Sequence, residues 1–268
     1  MITVKHIVTI DGIKDLIFEQ TYNEAIDRTR SSYFYRGMPD ASYKLVTSLR
    51  RNCKEAYADL EQPLLENFIN YVRNEVPTIN ESIWQAMVIG QHYGLPTRLL
   101  DWTHSTLVAL HFANAEDNLD KLSKRDCVVW RIDLRDLNRS LPRKYKDYLD
   151  RKNTFVFPLD GLAEIANDLK QYDSDMGDNA MVCFEPPSVD QRIVNQYSFF
   201  SAIPSGIEDL EKFLDERTEH TVKYVIDKRL RWEIRDILDQ FNINERMIHP
   251  GKTGIAKWLA RHYYVKSK

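Results

Sequence analysis

Gln91-His92-Tyr93-Gly94-Leu95-Pro96-Thr97-Arg98-Leu99-Leu100-Asp101-Trp102-Thr103-His104-Ser105 is the stretch on which the reading of this chain turns. Gly94 and Pro96 end the helical pattern before it, and polar groups then crowd a short connection between two mostly apolar helical segments, 81–93 and 105–115. Connections held between rigid supports are where binding and catalytic groups are commonly placed. A plainer reading runs beside this one: Asp101 or Thr103 caps the following helix and Trp102 is core.

Upstream, Leu60, Leu64, Phe68, Ile69 and Val72 recur at three- and four-residue spacing, which predicts an amphipathic helix over 53–73. Ser32-Tyr33-Phe34-Tyr35-Arg36-Gly37 reads as an aromatic strand running into a turn at Gly37 and Pro39, and 12–30 as a loosely striped helix. Downstream, 127–133 reads as a strand buried on both faces. Short strands are expected at 155–157, 180–184, 196–203 and 221–226, and helices at 161–171, 207–214, 230–241 and 254–263. The mixture lacks the regular alternation of a doubly wound sheet, so the class is α+β. Nothing resembles a linker, a repeat or a low-complexity tract, and a single domain over 1–268 is expected.

The 268 residues carry 37 Lys plus Arg against 40 Asp plus Glu, a net charge of -3, with 43% hydrophobic residues. That balance argues against disorder and against strong binding to duplex nucleic acid, while leaving room for a local basic groove. Cys53, Cys127 and Cys183 lie far apart, which gives neither a disulfide framework nor a local zinc knuckle and suits a reducing compartment. With no signal-like N-terminus and no run approaching roughly 18 apolar residues, a cytoplasmic protein without a membrane partner is expected.

Tyr35-Arg36-Gly37 places an arginine beside a glycine that permits close backbone approach, a suitable pair for bidentate capture of a phosphate or carboxylate. The alternative is a structural ion pair from Arg36 to Asp101. A third cluster runs from Glu185 through Pro186-Pro187 to Gln191, Arg192, Asn195, Gln196 and Phe200, read as a prolyl turn followed by an aromatic strand. Other motifs fail. His249-Pro250-Gly251-Lys252-Thr253-Gly254 has Arg246 where a phosphate-cradling loop needs glycine, and it reads as a turn before the last helix. His104 and His111 are two turns apart and no H-E-x-x-H occurs, so no metal is expected. Neither G-x-S-x-G nor G-x-G-x-x-G is present.

On these residues the chain resembles the FRG domain family, named for a Phe/Tyr-Arg-Gly motif, here Tyr35-Arg36-Gly37. The family's second block, Gln-His-x-Gly-x-Pro-Thr-x-Leu-Leu-Asp-Trp-Thr, is matched from Gln91 to Thr103 and followed by Ala109, Phe112 and Ala113. Gln191-Arg192 to Gln196 and Phe199 resemble a third block, an Arg-x-x-x-Gln-x-x-x-Phe strand lacking its usual glycine. Met247-Ile248-His249-Pro250 into Gly254-Ile255-Ala256-Lys257-Trp258-Leu259 is similar to the closing motif. In order and context the blocks also resemble, more weakly, the ADP-ribosyltransferase superfamily.

These resemblances imply a mixed, largely antiparallel, split sheet flanked by helices, with a helical segment inserted after the first motif strand, and a site for NAD or a similar nucleotide. Arg36 would hold the pyrophosphate or ribose, Thr103 would brace the nicotinamide ribose, and Tyr93 or Trp102 would stack on a ring. Arg36, His92, Asp101 and Gln196 are then the catalytic candidates. Tyr35, Gly37, Gln91, Tyr93, Thr97, Trp102, Thr103, Gln191 and Arg192 are the ligand-binding ones. At the position of the superfamily's glutamate this chain offers Gln191 or Gln196, so a displaced carboxylate, Glu185, Asp190 or Asp101, would have to stabilise an oxocarbenium-like centre. Three readings follow: an NAD-dependent ADP-ribosyltransferase or NAD glycohydrolase, as in a stress or anti-phage effector; a non-catalytic nucleotide-binding module whose helices around 61–73 contact a protein partner; and purely structural motifs. They divide on whether Arg36, His92, Asp101, Thr103 and Gln196 converge on one cleft.

Overall fold

The computed structural model describes residues 1–188 and 191–266. In chain order its strands are β1 (Thr3–Ile7), β2 (Tyr22–Asn23), β3 (Arg28–Thr29), β4 (Tyr33–Met38), β5 (Leu99–Thr103), β6 (Cys127–Asp133), β7 (Phe157–Pro158), β8 (Val182–Glu185), β9 (Ser198–Ala202) and β10 (Val222–Ile226). β2 and β3 form a small hairpin, and the rest form a sheet in the order β1-β10-β6-β4-β5-β9-β8-β7. The two outermost pairings, β1 with β10 and β7 with β8, are parallel, and those between them are antiparallel.

The helices are α1 (Ile10–Ile17), α2 (Ser48–Cys53), α3 (Tyr57–Val72), α4 (Ile83–His92), α5 (Thr106–Ala113), α6 (Leu134–Arg139), α7 (Arg143–Lys152), α8 (Leu159–Ile165), α9 (Leu169–Met176), α10 (Gln191–Gln196), α11 (Leu210–Arg217), α12 (Arg231–Gln240), α13 (Glu245–Ile248) and α14 (Lys252–His262). The mixed α+β sheet flanked by helices is as expected, and α2, α3 and α4 are the helical segment inserted after the first motif strand. Among the described residues no helix is long and apolar enough to cross a membrane.

Strand alternation divides the core into layers. On one face, Phe34, Trp102, Val128, Trp130 and Phe199 pack under α6 and α11 as one cluster that runs across the sheet. The other face carries two clusters. Tyr35, Val129 and Tyr224 meet α1, α5 and α12. Leu99, Val182 and Phe200 meet α4, α7, α8 and α9. The boundary between them falls where β4 lies beside β5.

Four segments depart from the sequence reading. Residues 99–103, read as part of a connection, form β5, because Leu99, Leu100 and Trp102 have buried faces to fill on both sides of the sheet. Gln191–Gln196, read as part of a strand, is the helix α10, and the chain enters β9 through Tyr197 at φ 48°. The helix expected over 12–30 stops at Ile17, and a hairpin turning near Asp27 (φ 50°) follows. The helix expected over 161–171 breaks at the extended Ala166, after which Asp168 accepts from the Gln171 amide and caps α9.

Gly37 ties β4 to α5. A Cβ added there would lie 1.8 Å from the Ala109 carbonyl oxygen and 2.5 Å from the Ala113 nitrogen, so the strand packs directly on the helix backbone. Backbone atoms cannot swing aside as a side-chain tip can. We expect Gly37→Ala to destabilise the protein by about 3 kcal/mol. Urea unfolding checks this, and an unchanged midpoint would remove the packing role assigned to Gly37.

Candidate functional site

Tyr35 pairs with Thr103, and among the described residues this is the single register pair between β4 and β5. Continuing the ladder would set Gly37 opposite Asp101. The strands part instead, and the Arg36 side chain bridges the opening: Nη1 donates to the Asp101 carbonyl oxygen at 2.7 Å and lies 3.5 Å from Asp101 Oδ2. A side-chain cation therefore satisfies the carbonyl that a neighbouring strand would otherwise take. Arg36 Nε is buried and has no hydrogen-bond partner among the described residues. Burial lowers the pKa of the Arg36 guanidinium, and Asp101 acts against that shift.

The opening is a cavity of about 170 Å³ lined by residues 35–37 and 101–103 with Phe112, Arg192, Gln196 and Ser198. Successive residues of a strand normally point to opposite faces. Three in a row from each of two strands can line one cavity because those strands have separated.

The Gln91–Thr103 motif builds one wall through a chain of hydrogen bonds. Gly94, at φ 88°, turns the end of α4 so that the Leu95 amide donates to the Gly90 carbonyl at 2.8 Å. Thr97, buried, donates its hydroxyl to Gln91 Oε1 at 2.5 Å and accepts from the Leu99 amide at 3.1 Å. Gln91 Nε2 then donates to Asp101 Oδ2 at 3.2 Å. Arg98, one residue before β5, is buried between Glu61 of α3 and Asp173 of α9 and anchors that end of the strand. Asp101 is left in mid-strand with its carboxylate about half exposed, flanked by buried neighbours.

Opposite, Arg192 and Gln196 stand four residues apart on α10 and so share one helix face, which lines the cavity. Gln196 Nε2 donates to the Ile248 carbonyl at 3.1 Å and Asn195 Nδ2 to that of Met247 at 2.6 Å, which fixes α10 against α13. Arg192 Nη1 donates to the His92 carbonyl at 3.4 Å.

The cavity thus brings together Arg36, Asp101 and Gln196 with Tyr35, Gly37, Trp102, Thr103 and Arg192. His92 and Gln191 line a neighbouring cavity, with Arg192 in the wall of both. Tyr93 is exposed beside a third, and Gln91 and Thr97 stand behind the wall, Gln91 through its bond to Asp101. Several lining groups also have structural partners. The Tyr35 hydroxyl donates to the Glu19 carbonyl at 3.3 Å, Trp102 Nε1 to Ser201 Oγ at 2.9 Å, and Thr103 Oγ1 accepts from the Ser105 amide at 3.1 Å. Neither Asp101 nor Thr103 is the cap of α5: Ser105 is, accepting from the Val108 amide. Glu185 ends β8 outside the cavity lining, and Asp190 lies outside the described residues.

Ser198 and Phe112 complete the lining without having been singled out as site residues. Ser198, which stands near the position of the third block's missing glycine, arrives there through its register with Thr103. The sequence likewise gave no warning that Asp133, Asp136 and His220 hold ligand-type atoms within 4.8 Å of one another. These could be metal donors, but they are already engaged: Asp136 Oδ2 accepts from the Glu219 and His220 amides and faces His220 Nδ1 at 2.9 Å. Burial raises the Asp136 pKa, and the hydrogen bonds from His220 and the amides more than reverse it.

The family model of the FRG domain matches residues 31–121. This chain carries an FRG domain. The match takes in Tyr35-Arg36-Gly37, the Gln91–Thr103 block and α5, so both strands of the opening belong to the FRG domain, whereas α10, α13 and α14 follow it in the chain. No curated protein and no solved structure matches the chain.

Replacing the bridging arginine should cost more than neutralising its partner. Arg36→Met removes a charged donor from a strand carbonyl and should destabilise by about 1.5–3 kcal/mol. Asp101→Asn keeps that carbonyl and loses only a long, half-exposed ion pair, so below about 1 kcal/mol is expected. Urea denaturation of both variants checks the ranking, and the reverse order would contradict the bridging role.

Proposed function

We propose that the opening between β4 and β5 binds a phosphorylated nucleotide-like ligand of the NAD class and that Asp101 is the carboxylate serving cleavage of its glycosidic bond. The observation that carries this reading is the convergence of Arg36 and Arg192 with Asp101, Thr103, Gln196, Trp102 and Phe112 on one cavity. Two guanidiniums suit a diphosphate, and Arg36 Nε is a buried donor in want of an acceptor. Phe112, only partly buried, offers aromatic surface to a ring, whereas Trp102 lines the cavity from the core with Nε1 bonded to Ser201. At about 170 Å³ the cavity is smaller than the usual ligand pocket of about 300–1,000 Å³. A whole dinucleotide would therefore continue into the neighbouring space that shares Arg192.

In this reading Asp101, held by Gln91 and Arg36, faces positive charge developing on the ribose as its bond to nicotinamide breaks. Nicotinamide leaves with the bonding electron pair, and water or an acceptor hydroxyl adds to the anomeric carbon while releasing a proton. Gln196, which carries no charge, orients a sugar hydroxyl. Binding without cleavage is the second reading. It is favoured by the half-exposed state of Asp101, because a carboxylate open to water stabilises a cation less than an enclosed one.

Incubation with NAD, following nicotinamide release, separates the two. The first reading predicts turnover that falls by on the order of 100-fold in Asp101→Asn while ADP-ribose still binds. Binding of ADP-ribose without any nicotinamide release would leave the second reading. Neither binding nor release would overturn both.

A further inference from the structure

Beyond Arg192 lies a larger cavity, about 470 Å³, between the end of α4, α10 and the start of α14. His92, Gln191, Arg192, His249, Thr253 and Lys257 line it beside Pro250, and among the described residues that line it there is no carboxylate. Its basic groups act on one another: burial lowers the pKa of His249, and repulsion from Arg192 and Lys257 lowers it further. Both fixed cations therefore stand near the same ring. Lys257 also pairs with Asp117 at 3.0 Å, but both partners are solvent-exposed and such a pair holds a lysine weakly.

The backbone adds to this. Gly251, immediately before α14, has a φ of 105° that residues with a side chain rarely adopt, and no side chain caps that helix end. The first-turn amides of a helix have no intrahelical acceptor and carry partial positive charge, and Thr253 in that turn lines the cavity. The Gly-Lys-Thr triplet does not make a phosphate loop, yet it delivers an uncapped helix end to a space already walled by Arg192 and Lys257.

We propose that this cavity is an anion subsite that takes a phosphate or diphosphate group through Arg192, Lys257 and Thr253. Because Arg192 walls both cavities, the subsite extends the opening between β4 and β5. The ligand class thereby narrows to one that carries its phosphates alongside Arg192, with the remainder reaching Arg36, and this last step rests on the function proposed above. The chemistry fits: arginine forks onto two phosphate oxygens, and lysine supplies a mobile point charge. An overall charge of -3 provides no general attraction for anions, so these placed groups must do the recognising.

Calorimetric titration of the whole chain at low salt with inorganic pyrophosphate, and separately with ADP-ribose, tests both steps. Pyrophosphate should bind the wild type, and Lys257→Ala should weaken it by on the order of tenfold. Asp117→Asn, which breaks the ion pair but keeps the lysine, should not weaken it. Arg36→Met should weaken ADP-ribose by a larger factor than it weakens pyrophosphate, because the subsite's own cations, Arg192 and Lys257, remain. Absence of pyrophosphate binding, or binding indifferent to Lys257→Ala, would overturn the subsite whatever ADP-ribose does. Lys257-dependent pyrophosphate binding with no Arg36-dependent binding of ADP-ribose would uphold the subsite and remove the nucleotide reading of the opening.

Discussion

The bond from Arg36 Nη1 to the Asp101 carbonyl does what a row of ladder hydrogen bonds does elsewhere in the sheet. Strands that part lose their ladder hydrogen bonds, and the Arg36 guanidinium supplies the donor that the Asp101 carbonyl would otherwise take from β4. Each of the two strands is held on its far side. β4 pairs with β6 at six positions and rests on the α5 backbone through Gly37. β5 pairs with β9 at five positions and is anchored by Arg98 between Glu61 and Asp173. The β4–β5 side of the cavity is therefore framed by strands rather than by loops, and the groups those strands carry inherit the rigidity of the sheet.

The same constraint explains the chemistry of the opening. Separation of the strands brings consecutive residues from both faces to one space, so Arg36 and Trp102 meet Asp101 and Thr103. Gln91 and Thr97 hold Asp101 from behind, which gives the long motif a physical purpose: one end turns the chain at Gly94, the middle supplies the hydrogen-bond chain, and the end is the strand. Arg192 comes from α10, outside the FRG match, so the later part of the chain contributes the second cation.

Much of this was legible in the residues. The aromatic run at Tyr33–Met38, the apolar strand Cys127–Asp133 and the striped helix α3 follow from periodicity. β5 was not legible, because an aspartate in mid-strand interrupts alternation and Pro96 marks a connection. Its strand character depends on partners far away in the chain, in β4 and β9. α10 was hidden for a related reason. At six residues it is too short to display a helical period, and the aromatic β9 beside it made the whole segment read as extended. For Gly37, the residue type suggested close approach of a ligand, while the nearest approach in the fold is by the α5 backbone. The basic cavity between α4, α10 and α14 could not be read at all, since its lining joins positions from His92 to Lys257.

Under the proposed function a ligand enters between β4 and β5 and satisfies the buried Arg36 Nε. Arginine side-chain NMR reads that atom directly: the Nε–Hε resonance of Arg36, assigned as the one lost in Arg36→Lys, is followed during titration with ADP-ribose. A saturable shift of that resonance is expected. Saturable binding of ADP-ribose with the Arg36 Nε–Hε signal unmoved would contradict it.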